Sequence, residues 1–363
     1  MTSDIAQDVR VEPAPTAPPM TSKLARDPRI DPRIKALFGA MPTAANPGDA
    51  KSREELLAEE NSEAARQRWA GMQGMFDAMD NEQVAPSAGL SIRTERFASQ
   101  PDGNEIKVNF IRPEAVERPA CIVYLHGGGM TMMSAFDGMY RAWGRIIAAH
   151  GVAVAMVDFR NALRASSAPE VAPFPAGLND CVSGVKWVHA NAAALGIDPA
   201  RIVVAGESGG GNLTLATGLK LKRDGDLGLI KGLYALCPYI AGAWPQAQYP
   251  SSTENNGILL ELHNNRGAMA YGIGELKAKN PLAWPGFATE EDVKGFPPVV
   301  ISVNECDPLR DEGINFYRLL LRAGVPARCR QVMGTVHATE TLPIACPDIS
   351  RDTARDLAAF SKG

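Results

Sequence analysis

From residue 90 onward, short apolar runs alternate with amphipathic stretches. Ile106–Ile111, Cys121–Leu125, Val152–Val157, Arg201–Ala205, Gly232–Cys237, Val299–Val303 and Ala327–Val332 have the length and composition of strands. Val152–Val157 is apolar without a break, the pattern of a strand covered on both faces. The intervening stretches repeat their apolar residues every three or four positions. Met139, Trp143, Ile146 and Ile147 share one helical face within 138–150, as do Leu178, Val182 and Val185 within 177–195. Gly211–Lys222, Gly313–Ala323 and Asp352–Phe360 complete the helical set. This alternation predicts an α/β fold with a mostly parallel central sheet flanked by helices.

Other segments break the alternation. Between Cys237 and Pro297 the chain is rich in Pro, Asn, Gly and aromatic residues. So long a loop is seldom structureless in a compact domain, so 240–285 is expected to be an insertion with helices of its own, Ile258–Met269 foremost. Upstream, Lys51–Arg68 is charged and rich in helix formers, and Trp69, Met72, Phe76 and Met79 then form one apolar face. Residues 51–85 are therefore expected to be helices that lie on the main domain, 86–363, and help to cover a ligand pocket. The first fifty residues carry eight of the 27 prolines and little periodicity. Segment 1–50 is expected to be a largely flexible tail, at least from Met1 to about Lys23.

Composition acts mainly by exclusion. Of 363 residues, 37 are basic and 41 acidic, a net charge of −4 that gives no electrostatic reason for nucleic-acid binding. No apolar run approaches the length of a membrane span. Met1–Met20 mixes Asp, Glu, Pro and Thr and lacks the basic and apolar regions of a signal peptide. The six cysteines are scattered, with no C-x-x-C, so no zinc knuckle or redox motif is expected. They read as buried free thiols, and a reducing cytoplasm is the expected location.

The chemistry lies in loops that follow the strands. Gly206-Glu207-Ser208-Gly209-Gly210 sits between the strand Arg201–Ala205 and the helix Gly211–Lys222. A G-x-S-x-G in a strand–turn–helix has the form of a nucleophile elbow, where glycines permit the sharp turn and the helix N-terminus faces the serine. His126-Gly127-Gly128-Gly129 follows the strand Cys121–Leu125. Three glycines there expose bare backbone N–H groups, which is what an oxyanion hole requires. A serine nucleophile needs a base. Of the five histidines, His126 belongs to the glycine motif and braces it, and His150 and His189 fall near helix ends. His263 lies in the insertion, and His337 follows the last strand in Met333-Gly-Thr-Val-His-Ala-Thr. His337 is the leading base and His263 the alternative. The orienting carboxylate is sought just past Val299–Val303, where Asp307 leads and Glu305 and Asp311 compete. The order is Ser, Asp, His, that of the α/β-hydrolases.

Together HGGG at 126–129, GESGG at 206–210, DPLRDEG at 307–313 and His337 resemble the hormone-sensitive-lipase family of α/β-hydrolases, the bacterial family IV carboxylesterases. Asn280-Pro-Leu-Ala-Trp-Pro285 and Ser302-Val-Asn-Glu-Cys-Asp-Pro-Leu309 are similar to the branch of brefeldin A esterase. The resemblance runs from Ile106 to the C-terminus. It implies the α/β-hydrolase fold, with 86–363 as catalytic domain and a cap built from 51–85 and 240–285. It implies Ser208 as nucleophile, His337 as base, Asp307 as orienter, and the N–H groups of Gly128, Gly129 and Gly209 as oxyanion donors. No metal or organic cofactor is implied, and short-chain acyl esters are the implied substrates. Glu207 replaces the family's usual Asp, Ala338 follows the histidine where glycine is usual, and Met130, Met132 and Met133 stand where an aromatic is common.

Lactone, amide or thioester cleavage would use the same machinery. A non-catalytic ligand-binding protein of this fold is a further alternative, but the plant gibberellin receptors, which resemble this family, lack the histidine that His337 supplies. The expected partner is a small-molecule ester, not a nucleic acid or membrane, and the edge strand Ala327–Val332 suggests a homodimer.

Overall fold

Among the described residues, eight strands form one sheet: Leu90–Ala98 (β1), Glu105–Pro113 (β2), Cys121–Leu125 (β3), Ala153–Val157 (β4), Ile202–Glu207 (β5), Gly232–Leu236 (β6), Val299–Asn304 (β7) and Ala327–Val332 (β8). Their order across the sheet is β1-β2-β4-β3-β5-β6-β7-β8. The structure, a computed structural model, describes residues 22–43 and 45–363. β1 and β2 are antiparallel to each other and β2 to β4, and every other pairing is parallel. The expected fold class and mostly parallel sheet are thus observed.

The parallel strands are apolar throughout because both of their faces are covered. Successive side chains alternate across the sheet. Cys121, Val123 and Leu125 join the core shared with helices Ala176–Ala190, Gly209–Asp224 and Arg310–Arg322. Ile122 and Tyr124 join the core of helices Gly138–Ala148 and Pro347–Lys362. β1 was not anticipated. Arg93, Glu95 and Arg96 interrupt it, only Phe97 is buried, and it holds its place by pairing along β2. β8 lies at the other edge.

The sheet carries the loops after β3, β5, β6 and β7 to one rim, the C-terminal ends of neighbouring parallel strands. The 51–85 segment is two helices, Arg53–Glu60 and Glu63–Asp77, separated where Ser62 caps the second by accepting the Ala65 N–H. Phe76 and Met79 are buried, while Met72 and Trp69 are half-buried.

Two expectations need correction. The flexible tail does not extend through its described part. Lys23–Arg26 and Pro32–Phe38 are short helices capped by Ser22 and Asp31, with Pro32 as a first helical residue. Leu24, Ile30, Ile34 and Phe38 are buried with Ile258, Cys306, Val336 and Cys346, against the loops after β7 and β8. Residues 1–21 lie outside the described residues. In the insertion, Ile258–Met269 is not one helix. Gly257 (φ 84°) and Leu259 (φ 62°) adopt left-handed backbone, and helix begins only at Arg266, running to Tyr271. Further short helices, Ser251–Glu254 and Ile273–Lys277, flank it.

Candidate active site

Ser208 stands between β5 and the helix Gly209–Asp224 with φ 58° and ψ −117°. A non-glycine residue there is strained, and it is held by its neighbours on both sides. Its N–H donates to the Leu236 carbonyl at 3.0 Å, and its own carbonyl accepts from Asn212 (3.0 Å) and Tyr239 (3.1 Å). Its side chain caps no backbone group of the helix. Gly206 and Gly210 are required by space. A Cβ at Gly210 would lie 2.0 Å from the Leu125 carbonyl oxygen, and one at Gly206 would lie 2.4 Å from the same atom.

The loop after β3 crosses directly over this turn. Gly128 (φ 86°) and Gly129 (φ 62°) are left-handed, which favours glycine. The amides of Gly128, Gly129 and Gly209 have no acceptor among the described residues. A Cβ on Gly209 would come within 2.7 Å of the Gly129 nitrogen, so the two turns are in close contact. His126 braces the loop, stacked on Phe159 with centroids 4.0 Å apart and with Nδ1 3.0 Å from the Gly127 carbonyl.

Glu207 ties the two turns together, a role the sequence reading missed although it marked the residue as unusual. One carboxylate oxygen accepts from the Gly127 N–H (2.8 Å) and from the Tyr140 hydroxyl, and the other accepts from Tyr124 (2.6 Å). Burial raises the Glu207 carboxyl to about 7, against the hydrogen bonds that lower it. Burial and the neighbouring carboxylate push both tyrosines up, so they keep their protons and donate. Glu207→Ala strands the buried Tyr124 hydroxyl and removes the charged acceptor that ties Tyr140 and the Gly127 N–H to the nucleophile's turn, leaving that N–H only the Tyr140 oxygen at 2.8 Å. It is expected to cost about 3 kcal/mol in urea unfolding and to lower turnover about tenfold by freeing the loop.

His337 is 8% exposed, and its Nδ1 lies 2.7 Å from Asp307 Oδ2. Asp307 Oδ1 accepts the Leu309 N–H at 2.9 Å, which fixes the carboxylate. The competing acids are engaged elsewhere. Glu305 accepts from Gly334 N–H, and Asp311 from Ser251 N–H and Arg310. His263 Nε2 lies 2.8 Å from the Ser252 carbonyl within the insertion. Burial lowers the His337 pKa, but the Asp307 charge and hydrogen bond, followed by Glu207 and Glu340, outweigh it and raise it overall. Glu340 is buried and accepts from Asn304 at 3.1 Å, and burial raises its carboxyl.

Ser208, His337 and the three glycines Gly127–Gly129 line one cavity of about 540 Å³. Met132, Met133 and Met139 line it from the loop after β3 and the following helix. Phe38, Met41, Met72 and Met75 enter from the N-terminal segment, and Leu259, Leu260 and Leu262 from the insertion. Phe38 and Met41 come from the stretch that sequence reading assigned to the tail, where prolines masked two short helices. Thioethers give this wall shape adaptability.

Cys237, Asp307 and His337 bring one donor atom each within 4.8 Å of one another. The chemistry of this set does not fit a metal. Asp307 Oδ2 is held by His337, and burial followed by the charges of Asp307, Glu340 and Glu207 raises the Cys237 thiol well above its ordinary value, whereas a ligating thiol must be deprotonated. All six cysteines are free, five of them buried. Among the described residues, no helix is long and apolar enough to cross a membrane.

Comparison with known proteins places this geometry in context. Residues 122–341 match a family described as alpha/beta hydrolase fold. Carboxylesterase NlhH of Mycobacterium tuberculosis is 30% identical over 350 residues, 94% of this chain and 99% of that protein. The solved esterase Est22 is 65% identical with a TM-score of 0.93, covering 95% of this chain and 100% of that one. Brefeldin A esterase, described as a bacterial homologue of human hormone sensitive lipase, is 38% identical with a TM-score of 0.81 over 93% of this chain and 94% of that one.

Proposed function

Because the chain belongs to the α/β-hydrolase fold family, in its hormone-sensitive-lipase-like branch of carboxylic ester hydrolases, we propose that it hydrolyses short-chain acyl esters through an acyl-enzyme on Ser208. Ser208 attacks the ester carbonyl while His337 Nε2 takes its proton. Asp307 keeps the other imidazole proton on Nδ1 and stabilises the imidazolium. The amides of Gly128, Gly129 and Gly209 hold the oxyanion. His337 returns the proton to the leaving alcohol, and water cleaves the acyl-enzyme by the same route. These steps use side chains and backbone amides alone.

The observation that carries this reading is the 2.7 Å contact of His337 with Asp307, with His337 and Ser208 lining one cavity. The apolar walls entering from two segments support a limit on acyl length. The free thiols support a cytoplasmic location. The edge position of β8 supports pairing with a second copy.

Two measurements test the proposal. A fluorophosphonate should add once per chain, and peptide mapping by mass should find the adduct on Ser208. A single adduct on another residue would remove Ser208 as nucleophile. Along 4-nitrophenyl esters from acetyl to palmitoyl, kcat/KM should peak at short acyl groups and fall at least about tenfold by palmitoyl. A flat or rising profile would overturn the short-chain assignment.

A further inference from the structure

Tyr239 follows β6 and is fixed to the nucleophile's turn. Its N–H donates to the Ser208 carbonyl at 3.1 Å, and its carbonyl accepts from the Asn212 side chain at 2.9 Å. The ring is 9% exposed, stacked on Trp244 with centroids 4.6 Å apart, and meets Trp284 edge-on at 5.9 Å. A ring held so firmly normally places its hydroxyl on a partner. Here the hydroxyl makes no hydrogen bond among the described residues, and it is not sealed off but opens to the cavity. It faces Gly267, where a Cβ would lie only 2.0 Å from the hydroxyl oxygen. Tyr239 and Gly267 both line the cavity that holds Ser208 and His337. Glycine at 267 thus makes the space in which this hydroxyl stands.

The strand order fixes what such a hydroxyl would meet. β5 lies between β3 and β6, so Tyr239 and the oxyanion loop flank Ser208 on opposite sides. An ester whose carbonyl oxygen occupies the loop amides presents one of its substituents to Tyr239. We propose that the Tyr239 hydroxyl is a specificity-determining donor, selecting esters that carry a second acceptor oxygen, such as an ether or carbonyl, a few bonds from the scissile carbonyl. Burial raises the phenol, which keeps its proton available for donation. This assignment rests on the esterase reading.

Matched ester pairs test it. On the acyl side, 4-nitrophenyl methoxyacetate is compared with 4-nitrophenyl butyrate. On the alcohol side, 2-methoxyethyl acetate is compared with butyl acetate. Within each pair an ether oxygen replaces a methylene, and the alkyl ester is each variant's own reference. Tyr239→Phe should lower the ether-to-alkyl ratio of kcat/KM about fivefold on one of the two sides, mainly through KM. Gly267→Ala, which keeps the hydroxyl but must displace it, should lower the same ratio. A ratio within about twofold of wild type on both pairs in Tyr239→Phe would overturn the proposal. Should that variant fail to turn over even the alkyl esters, Gly267→Ala decides by the same ratio. If wild type cleaves none of the four, the esterase reading itself fails.

Discussion

Ser208→Ala is expected to lower kcat on 4-nitrophenyl butyrate by about 10⁵- to 10⁶-fold, with little change in stability. Loss of the nucleophile alone from a serine–histidine–aspartate unit costs about as much as loss of the whole unit, because its members act together. The residue that remains keeps the oxyanion donors and the cavity, so catalysis should stay about 10³-fold above water. Stability should hold because the hydroxyl caps no backbone group, and the bonds that secure the turn are made by the Ser208 N–H and carbonyl. Alanine can adopt the same φ of 58° at no greater cost than serine. The urea midpoint should therefore correspond to a change within about 0.5 kcal/mol. A folded variant that keeps more than about a hundredth of wild-type kcat would show that another group attacks the ester.

The parts of this site that were legible in the sequence are those written in short contiguous motifs. Gly206–Gly210 and His126–Gly129 each follow an apolar strand, and such a strand–loop pattern is fixed locally. What joins the motifs was not legible. Glu207 reaches Gly127 and Tyr140 across two elements, and nothing in the spacing of 127, 140 and 207 announces it. The same holds for Tyr239, whose free hydroxyl depends on a glycine in the insertion. The N-terminal error has a different cause. Pro28, Pro32 and Pro42 suggested an unstructured tail, but Pro32 opens a helix, and four apolar residues spread over 24–38 bury against distant loops. β1 was missed because it is an exposed edge strand whose pairing with β2 outweighs its charged composition. Within the insertion, helix propensity lost to left-handed backbone at Gly257 and Leu259.

Asp307→Asn should lower kcat by about 10⁴-fold, the size seen when the same change is made in a serine protease. The reason is geometric. Asp307 accepts from His337 Nδ1 at 2.7 Å and from the Leu309 N–H at 2.9 Å. Asparagine retains one acceptor oxygen, which the Leu309 amide holds, and turns its NH₂ toward the imidazole. His337 then accepts on Nδ1 and carries its proton on Nε2, the nitrogen that must be free to receive the proton of Ser208. The pH dependence carries an independent sign. The base works only when neutral, and its raised pKa places the acidic limb of kcat/KM above the ordinary histidine value of about 6.5. Burial alone would lower that pKa, and the Asp307 carboxylate is the foremost influence opposing it. Removing the charge should move the limb to lower pH. The same shift acts on stability. A folded pKa above the unfolded one stabilises the protein fully below about pH 6.5, and that contribution is lost as pH rises through the folded value. Urea midpoints of wild type should fall across that interval, and those of Asp307→Asn should fall less. An Asp307→Asn enzyme with an unmoved acidic limb and a loss of only a few fold would mean that another acid orients His337.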